Sequence, residues 1–383
     1  MRLMRCLSRF SIFLFFVLLL IGCSGPQDQK TSGGEDYKLI AYVAGWGNFD
    51  LARIDHSKLT HINYAFANIV EGRAVMELAE DSANLATLVS FRETNHDLKI
   101  LISVGGWVWS NWFSDAALTA SSREIFAQSI VELIKLHDLD GVDMDWEYPG
   151  QRAEDNAYRP ADKDNFTLML QTIREKLDQL GAETGDRQYL LTIASGSDQA
   201  YFDHTNLGEA HRYLDFINVM TYDFYNGWMF QAGHHANLYP SENEKYGGNS
   251  AVETIERHLT AGVPHEKLIL GFPFYGRMWE GVHTAASGLY QSAGTGGMLI
   301  PYNKIDGLDA NNWESHWDQS ASAPYLWNPE SGVFISYENP KSIGLKADYI
   351  KEQGLSGAMF WEYSNDHKQQ LLDELYHQLN SDK

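Results

Sequence analysis

From Lys38 onward, short apolar runs alternate with segments of helical periodicity. Eight runs stand out: Leu39–Gly45, His61–Ala67, Lys99–Val104, Gly141–Trp146, Tyr189–Ser195, Phe216–Met220, Leu268–Phe272 and Gly357–Phe360. Continuous apolar character with β-branched residues suits parallel strands buried on both faces. The segments between them carry helix signals. Ser121-x-x-Glu124 predicts a capping box ahead of Phe126, Ile130, Leu133 and His137. Ser250-x-x-Glu253 predicts another, leading into Val252, Ile255 and Leu259 and stopping at Gly262. Phe166, Leu170, Ile173, Leu177 and Leu180 mark a third helix, which Gly181 is expected to close. Strands alternating with helices imply an α/β protein with a parallel sheet. Eight strands over this length favour a closed (β/α)8 TIM barrel over a doubly wound open sheet. No Gly-x-Gly-x-x-Gly follows the first run, which argues against a dinucleotide site.

Two stretches break the rhythm. Residues 279–338 are rich in Gly, Trp, Tyr and Asn, without a helical stripe, and are too long for an ordinary loop. They predict a small α+β subdomain inserted between the seventh and eighth strands, leaving residues 37–278 and 339–383 to the barrel. At the other end, Arg2, Arg5 and Arg9 precede an apolar run from Phe10 to Ile21, the pattern of a secretory signal. Leu20-Ile21-Gly22-Cys23 resembles the bacterial lipoprotein box. That resemblance implies a signal peptide over 1–22, lipidation of Cys23, and a polar tether over 23–36. With Ser rather than Asp at position 24, it also implies the outer membrane of the cell envelope over the inner one.

Composition narrows the chemistry. The 383 residues carry a formal net charge of -22, so nucleic acid is an improbable partner on charge alone. The 2 cysteines are too few for a disulfide scaffold or a four-thiolate zinc site. Cys6 would leave with the signal. The 14 histidines show no tight ligand spacing, and His234-His235 reads as a loop pair. No metal and no cofactor are expected. Eleven Trp and 20 Tyr leave open a role in stacking on sugars.

The fourth run carries the chemistry. It reads Asp140-Gly141-Val142-Asp143-Met144-Asp145-Trp146-Glu147. On a strand, alternate side chains share a face at about 6.5–7 Å spacing. Asp143, Asp145 and Glu147 should therefore point into the barrel, while Val142, Met144 and Trp146 face the helices. Like charges in one lumen couple their titrations and raise at least one pKa, which suits a general acid. Glu147 falls at the C-terminal strand end, where barrels keep their active sites. A calcium loop using Asp143, Asp145 and Glu147, with Glu154 in twelfth place, is disfavoured by Tyr148 where that turn needs Gly.

This ladder resembles the DxxDxDxE signature of glycoside hydrolase family 18, the chitinase family. Ser103-Val104-Gly105-Gly106-Trp107, Met220-Thr221-Tyr222-Asp223, Phe274-Tyr275-Gly276-Arg277 and Trp361 resemble further family motifs in the same order, over about Lys38 to Asp366. The resemblance implies substrate-assisted, retaining hydrolysis of β-1,4-linked N-acetylglucosamine polymers, with chitin or its oligosaccharides as partner. In that mechanism Glu147 is the acid, Asp145 holds the substrate's acetamido group, Asp143 shares a proton with Asp145, and Tyr222 donates to the acetamido carbonyl. Trp361 would form the floor of the reacting subsite, lined by Trp107, Phe66, Tyr42, Gly106 and Tyr148 and walled by Met220, Asp223, Tyr275 and Arg277. Trp109, Trp112 and Trp228 are candidate platforms for the leaving sugars, and Trp313, Trp317, Tyr325 and Trp327 are divided between substrate and the insertion's own core. Two alternatives stay open: an endo-β-N-acetylglucosaminidase acting on N-glycan chitobiose cores, and a non-catalytic chitin-binding lectin. Family members of the first kind generally lack the insertion, and lectins lose the acid that Glu147 supplies here. The chain is expected to act as a monomer.

Overall fold

All eight apolar runs form parallel strands. The computed structural model describes residues 37–381, apart from Asn48, Asp155 and Tyr246. The signal, Cys23 and the tether lie outside the described residues. In chain order the strands are β1 (Lys38–Ala44), β2 (His61–Val70), β3 (Arg73–Val75), β4 (Lys99–Gly105), β5 (Gly141–Asp145), β6 (Leu190–Ser195), β7 (Phe216–Val219) and β8 (Leu268–Pro273). They continue with β9 (Tyr275–Trp279), β10 (Met298–Pro301), β11 (Glu314–Asp318), β12 (Ala323–Asn328), β13 (Val333–Ser336) and β14 (Gly357–Trp361).

Eight of these close into a barrel in the order β1-β2-β4-β5-β6-β7-β8-β14, with β1 pairing β14 on one side and β2 on the other. The small β3 extends β2 as an antiparallel hairpin beyond the barrel. Period-two alternation sorts the side chains. Val142, Met144 and Trp146 pack outward with Ile100, Ile102, Leu191, Ile193 and the helices. Inside, Ile40, Phe216, Ile269 and Met359 fill the lumen below Tyr42 and Met220.

Helix boundaries show where local signals were misread. The helix Ala120–His137 starts one residue before the expected cap: Thr119 and Ser122 form the reciprocal box instead of Ser121 and Glu124. Its β-region backbone (ψ 159°) makes Thr119 the true N-cap. Ser250 caps its helix as expected, accepting from the Glu253 amide at 3.2 Å. Gly181 does not end its helix, which runs Asp162–Glu183. A Cβ at Gly181 would lie 2.4 Å from the Arg187 carbonyl, so the glycine serves close approach of the returning chain.

Between β8 and β14 the chain builds a second, antiparallel sheet in the order β10-β9-β13-β12-β11. It begins at Tyr275, inside the segment expected to belong to the barrel. Tyr325 and Trp327 are buried with Trp279 and Phe334 on one face, so they are core of this sheet. Trp313 packs beside Leu326 and Ile335 on the other face, and Lys341 lies over the Trp317 ring.

Candidate active site

The carboxylate ladder divides at its first member. Asp140 stands at the N-terminal end of β5, where it accepts from the Ile100 amide at 2.8 Å and from Arg187 at 2.9 Å, and pairs with Arg92. It clamps the barrel floor. Asp143 lies fully buried in the lumen, where four donors reach it. Tyr42 and Ser103 donate to Oδ2 at 2.7 and 2.8 Å, and Thr192 and Asn218 to Oδ1 at 2.6 and 3.1 Å. Four donors on two oxygens is the bonding of a carboxylate, which has about four acceptor positions and no proton to give. Burial raises the Asp143 pKa, and these four donors oppose it.

Asp145 has the opposite surroundings. It is buried, and its Oδ1 has no hydrogen-bond partner. Burial, then the charges of Glu147 and Asp143, push its pKa well above the usual range. Among the described residues no hydrogen bond joins Asp143 to Asp145, so the expected shared proton is absent from this arrangement. Both pKa values are raised, that of Asp145 more strongly, so of the two Asp145 is the one whose surroundings favour the protonated form. Glu147 follows at the strand end, and its pKa is raised to about 7, first by burial and then by Asp223, with Tyr148 opposing. Its backbone is fixed on both sides. The Glu147 amide donates to Ser110 Oγ at 2.9 Å, and its carbonyl accepts from Asn156 at 2.7 Å.

A second knot forms after β7. Arg277 grips Asp223 bidentately, with Nε on Oδ1 at 2.8 Å and Nη2 on Oδ2 at 2.6 Å. Buried His235 stands 3.6 Å from the same carboxylate. Burial would raise the Asp223 pKa, but His235 and Arg277 outweigh it and hold it down at about 2. Asp223 is thus a fixed negative charge facing Glu147. Tyr275 lies edge-on to Tyr222, with ring centroids 6.1 Å apart and Arg277 over its face. The Tyr222 hydroxyl has only a 4.0 Å contact with Met359 Sδ, which leaves it free to donate.

The aromatic residues separate into two groups. Trp361 stacks on Phe66 at 5.5 Å and contacts Tyr42 at 5.7 Å, as expected of a floor. Gly106 carries φ +75° and lies against the Phe66 ring, so any Cβ there would strike it at 2.5 Å. Tyr148 packs edge-on against Tyr201. Trp107 does not join this floor. Its ring partner is Trp228, at 6.3 Å, on the loop after β7. Trp109 is partly buried against the lumen cluster, whereas Trp112 and Trp228 are 54% and 70% exposed and remain open to a ligand. Cis peptide bonds join Ala65 to Phe66 within β2, Glu147 to Tyr148 just after β5 and Trp361 to Glu362 at the end of β14.

Several site residues were missed in the sequence. Thr192 and Asn218 are polar residues at inward positions of largely apolar strands, a signal that alternation carries. Trp46, just past β1, touches both Phe66 and Trp361 at 6.0 and 6.1 Å. His235 gave no signal, since its partners come from β9 and from the loop that begins at Asp223.

Comparison with known proteins agrees with this geometry. The profile of glycosyl hydrolases family 18 matches residues 38–366. The chain belongs to glycosyl hydrolases family 18. Chitinase A1 of Niallia circulans is 38% identical over 436 residues, covering 96% of this chain, which spans 62% of that protein's length. The structure of a family 18 N-acetylglucosaminidase from Paenibacillus barengoltzii superposes with a TM-score of 0.83 at 41% identity, covering 90% of this chain and 100% of its own. Chitinase ChiA74 from Bacillus thuringiensis gives a TM-score of 0.86 at 35% identity over 90% of this chain and 70% of its own. The fold is the (β/α)8 barrel that the strand pattern predicted.

Proposed function

We propose that the protein is a retaining, substrate-assisted hydrolase of β-1,4-linked N-acetylglucosamine polymers or oligomers, a chitinase. One observation supports the mechanism: beside Glu147, none of Asp143, Asp145 and Asp223 stands ready as a second catalytic base or nucleophile. Asp143 is saturated by donors, burial and neighbouring charge push the Asp145 pKa well above the usual range, and Asp223 is locked to Arg277. The usual glycosidase pair of acid and nucleophile is therefore missing its second member. The substrate's own 2-acetamido oxygen takes that part. Glu147, protonated near neutral pH, gives its proton to the glycosidic oxygen as the C1–O bond breaks. The acetamido oxygen bonds to C1 from the opposite face and forms an oxazolinium ion. Asp145 accepts the acetamido N–H through its unpartnered Oδ1, and Tyr222 donates to the acetamido oxygen and holds it for attack. Water then gives a proton to Glu147 and adds to C1, opening the ring. An attached nucleophile gains a large proximity advantage. The chitinase relatives support this sugar and linkage.

The test is release of product from chitin oligosaccharides and from a high-mannose glycopeptide, beside Glu147→Gln. Cleavage of the oligosaccharides alone, lost in the variant, is expected. Cleavage of the glycopeptide alone would support the endo-β-N-acetylglucosaminidase reading, and binding without cleavage the lectin reading.

We also infer that Cys23 is lipidated and holds the domain on the bacterial cell envelope, at the outer membrane. The charged, apolar and Cys-terminated leader supports this. Labelled palmitate incorporated into the protein and lost in Cys23→Ala is the expected result; a soluble, unlabelled protein would refute it.

A further inference from the structure

Glu154 has no part in the chemistry above, yet it holds one of the site's aromatic rings. Its Oε1 accepts the Trp107 indole N–H at 2.8 Å. The loop that carries it is anchored at both ends. Buried Asp162 accepts from the Gly150 and Arg159 amides at 3.3 and 2.7 Å. Ser114 Oγ donates to Asp162 at 2.6 Å and receives an Arg159 donor at the same distance. Between these anchors, Asn156 binds the Glu147 carbonyl. One loop thus grips both the acid and Trp107.

Trp107 is also tied to Glu147 from its own side. Ser110 Oγ accepts from the Glu147 amide and donates to the Gly106 carbonyl at 2.8 Å, one residue before Trp107. Trp107 is tied to the backbone of Glu147, which protonates the leaving oxygen, and it stands apart from the Trp361 floor, which points to the leaving-group side. Trp228 is its ring partner. An accessible indole on a one-turn helix, Gly106–Trp109, would otherwise sample several rotamers. A charge-assisted hydrogen bond at the ring edge fixes its orientation without occupying a ring face.

We infer that Glu154 is a positioning residue for the leaving-group half of the substrate: it pre-orients Trp107 so that Trp107 and Trp228 form one platform for the sugars beyond the cleaved bond. This rests on the hydrolase reading above. Pre-orientation lowers the ordering cost of binding and so acts on affinity for longer chains.

The experiment is calorimetric binding in a Glu147→Gln background, which does not turn over. The ligands are chitohexaose, which spans both sides, and chitobiose thiazoline, a stable analogue of the oxazolinium with no leaving group. Glu154→Leu should raise the chitohexaose Kd about tenfold and leave the thiazoline Kd within about twofold. Glu154→Gln, whose amide oxygen still accepts the indole proton, should recover most of the loss. The Trp107 indole resonance should move in the Leu variant and much less in the Gln variant. An unchanged chitohexaose Kd in Glu154→Leu, or equal weakening of both ligands, overturns the proposal. If the Glu147→Gln parent binds neither ligand, it is the hydrolase reading that falls.

Discussion

Asp143 and Asp145 point into one lumen from alternate positions of β5, yet four donors meet Asp143 and none meets Oδ1 of Asp145. The asymmetry separates their roles. A saturated carboxylate keeps its charge, and that charge helps its neighbour keep a proton. The lumen polar residues thus hold charge on Asp143, and that charge adds to burial and to Glu147 in keeping the Asp145 pKa high.

Thr192 tests that arrangement. Thr192→Val keeps the side-chain shape and removes the 2.6 Å donor to Asp143. A hydrogen bond to a charged group is worth about 1.5–3 kcal/mol, so kcat should fall at least about tenfold with KM nearly constant. Steady-state kinetics on a chitin oligosaccharide measure this. A change confined to KM would remove Asp143 from the control of the Asp145 pKa.

How much of this was legible follows from the physics of each feature. The barrel strands were readable because burial on both faces leaves a continuous apolar run. The lumen carboxylates were readable because strand alternation is local. The four-donor cage was not, because Tyr42, Ser103, Thr192 and Asn218 come from four different strands that only barrel closure brings to Asp143. The separation of Trp107 from Trp361 was equally hidden. Trp361 ends β14 and Trp107 lies just past β4, and the Trp228 loop and Glu154 set which way Trp107 faces.

Glu147 sets the alkaline limit of activity. With its pKa near 7, kcat/KM should fall as pH rises through that value, because the free enzyme then loses its acid. Asp223 contributes to the raised value by its negative charge. Asp223→Asn removes that charge and leaves Arg277 unpaired, and both changes favour ionised Glu147. The limb should therefore move to lower pH, by on the order of half a unit. A pH profile of kcat/KM for both proteins checks it, and a limb moving upward would contradict the assignment.

The same proton affects stability. In the unfolded chain Glu147 titrates near ~4.3, whereas in the fold it holds its proton to about 7. Between these values the native state binds more protons than the unfolded one, so stability falls as pH rises through the window. Glu147→Gln cannot ionise and escapes the loss. The variant should be more stable than the wild type at pH 8, by on the order of 2 kcal/mol, and nearly equal to it at pH 4. Thermal melts at the two pH values decide this. A variant equally stabilised at both would point to packing instead of ionisation.

Stereochemistry tests whether any carboxylate activates water on the far face of the sugar. If the acetamido oxygen is the nucleophile, it must close on C1 from the face opposite the β-linked leaving group. The oxazolinium then blocks that face, and water can enter only from the side the leaving group vacated. The first product is the β-anomer, formed by two successive inversions. An inverting enzyme would instead need an ionised carboxylate to activate water on the far face. Asp223 has both oxygens engaged by Arg277, and the surroundings of Asp145 push its pKa well above the usual range, so neither suits that role. Proton NMR of chitin oligosaccharide hydrolysis, recorded before mutarotation, should show the β-anomeric signal rising first. An initial α-anomer would mean that a protein carboxylate activates the water and that the acetamido mechanism is wrong for this chain.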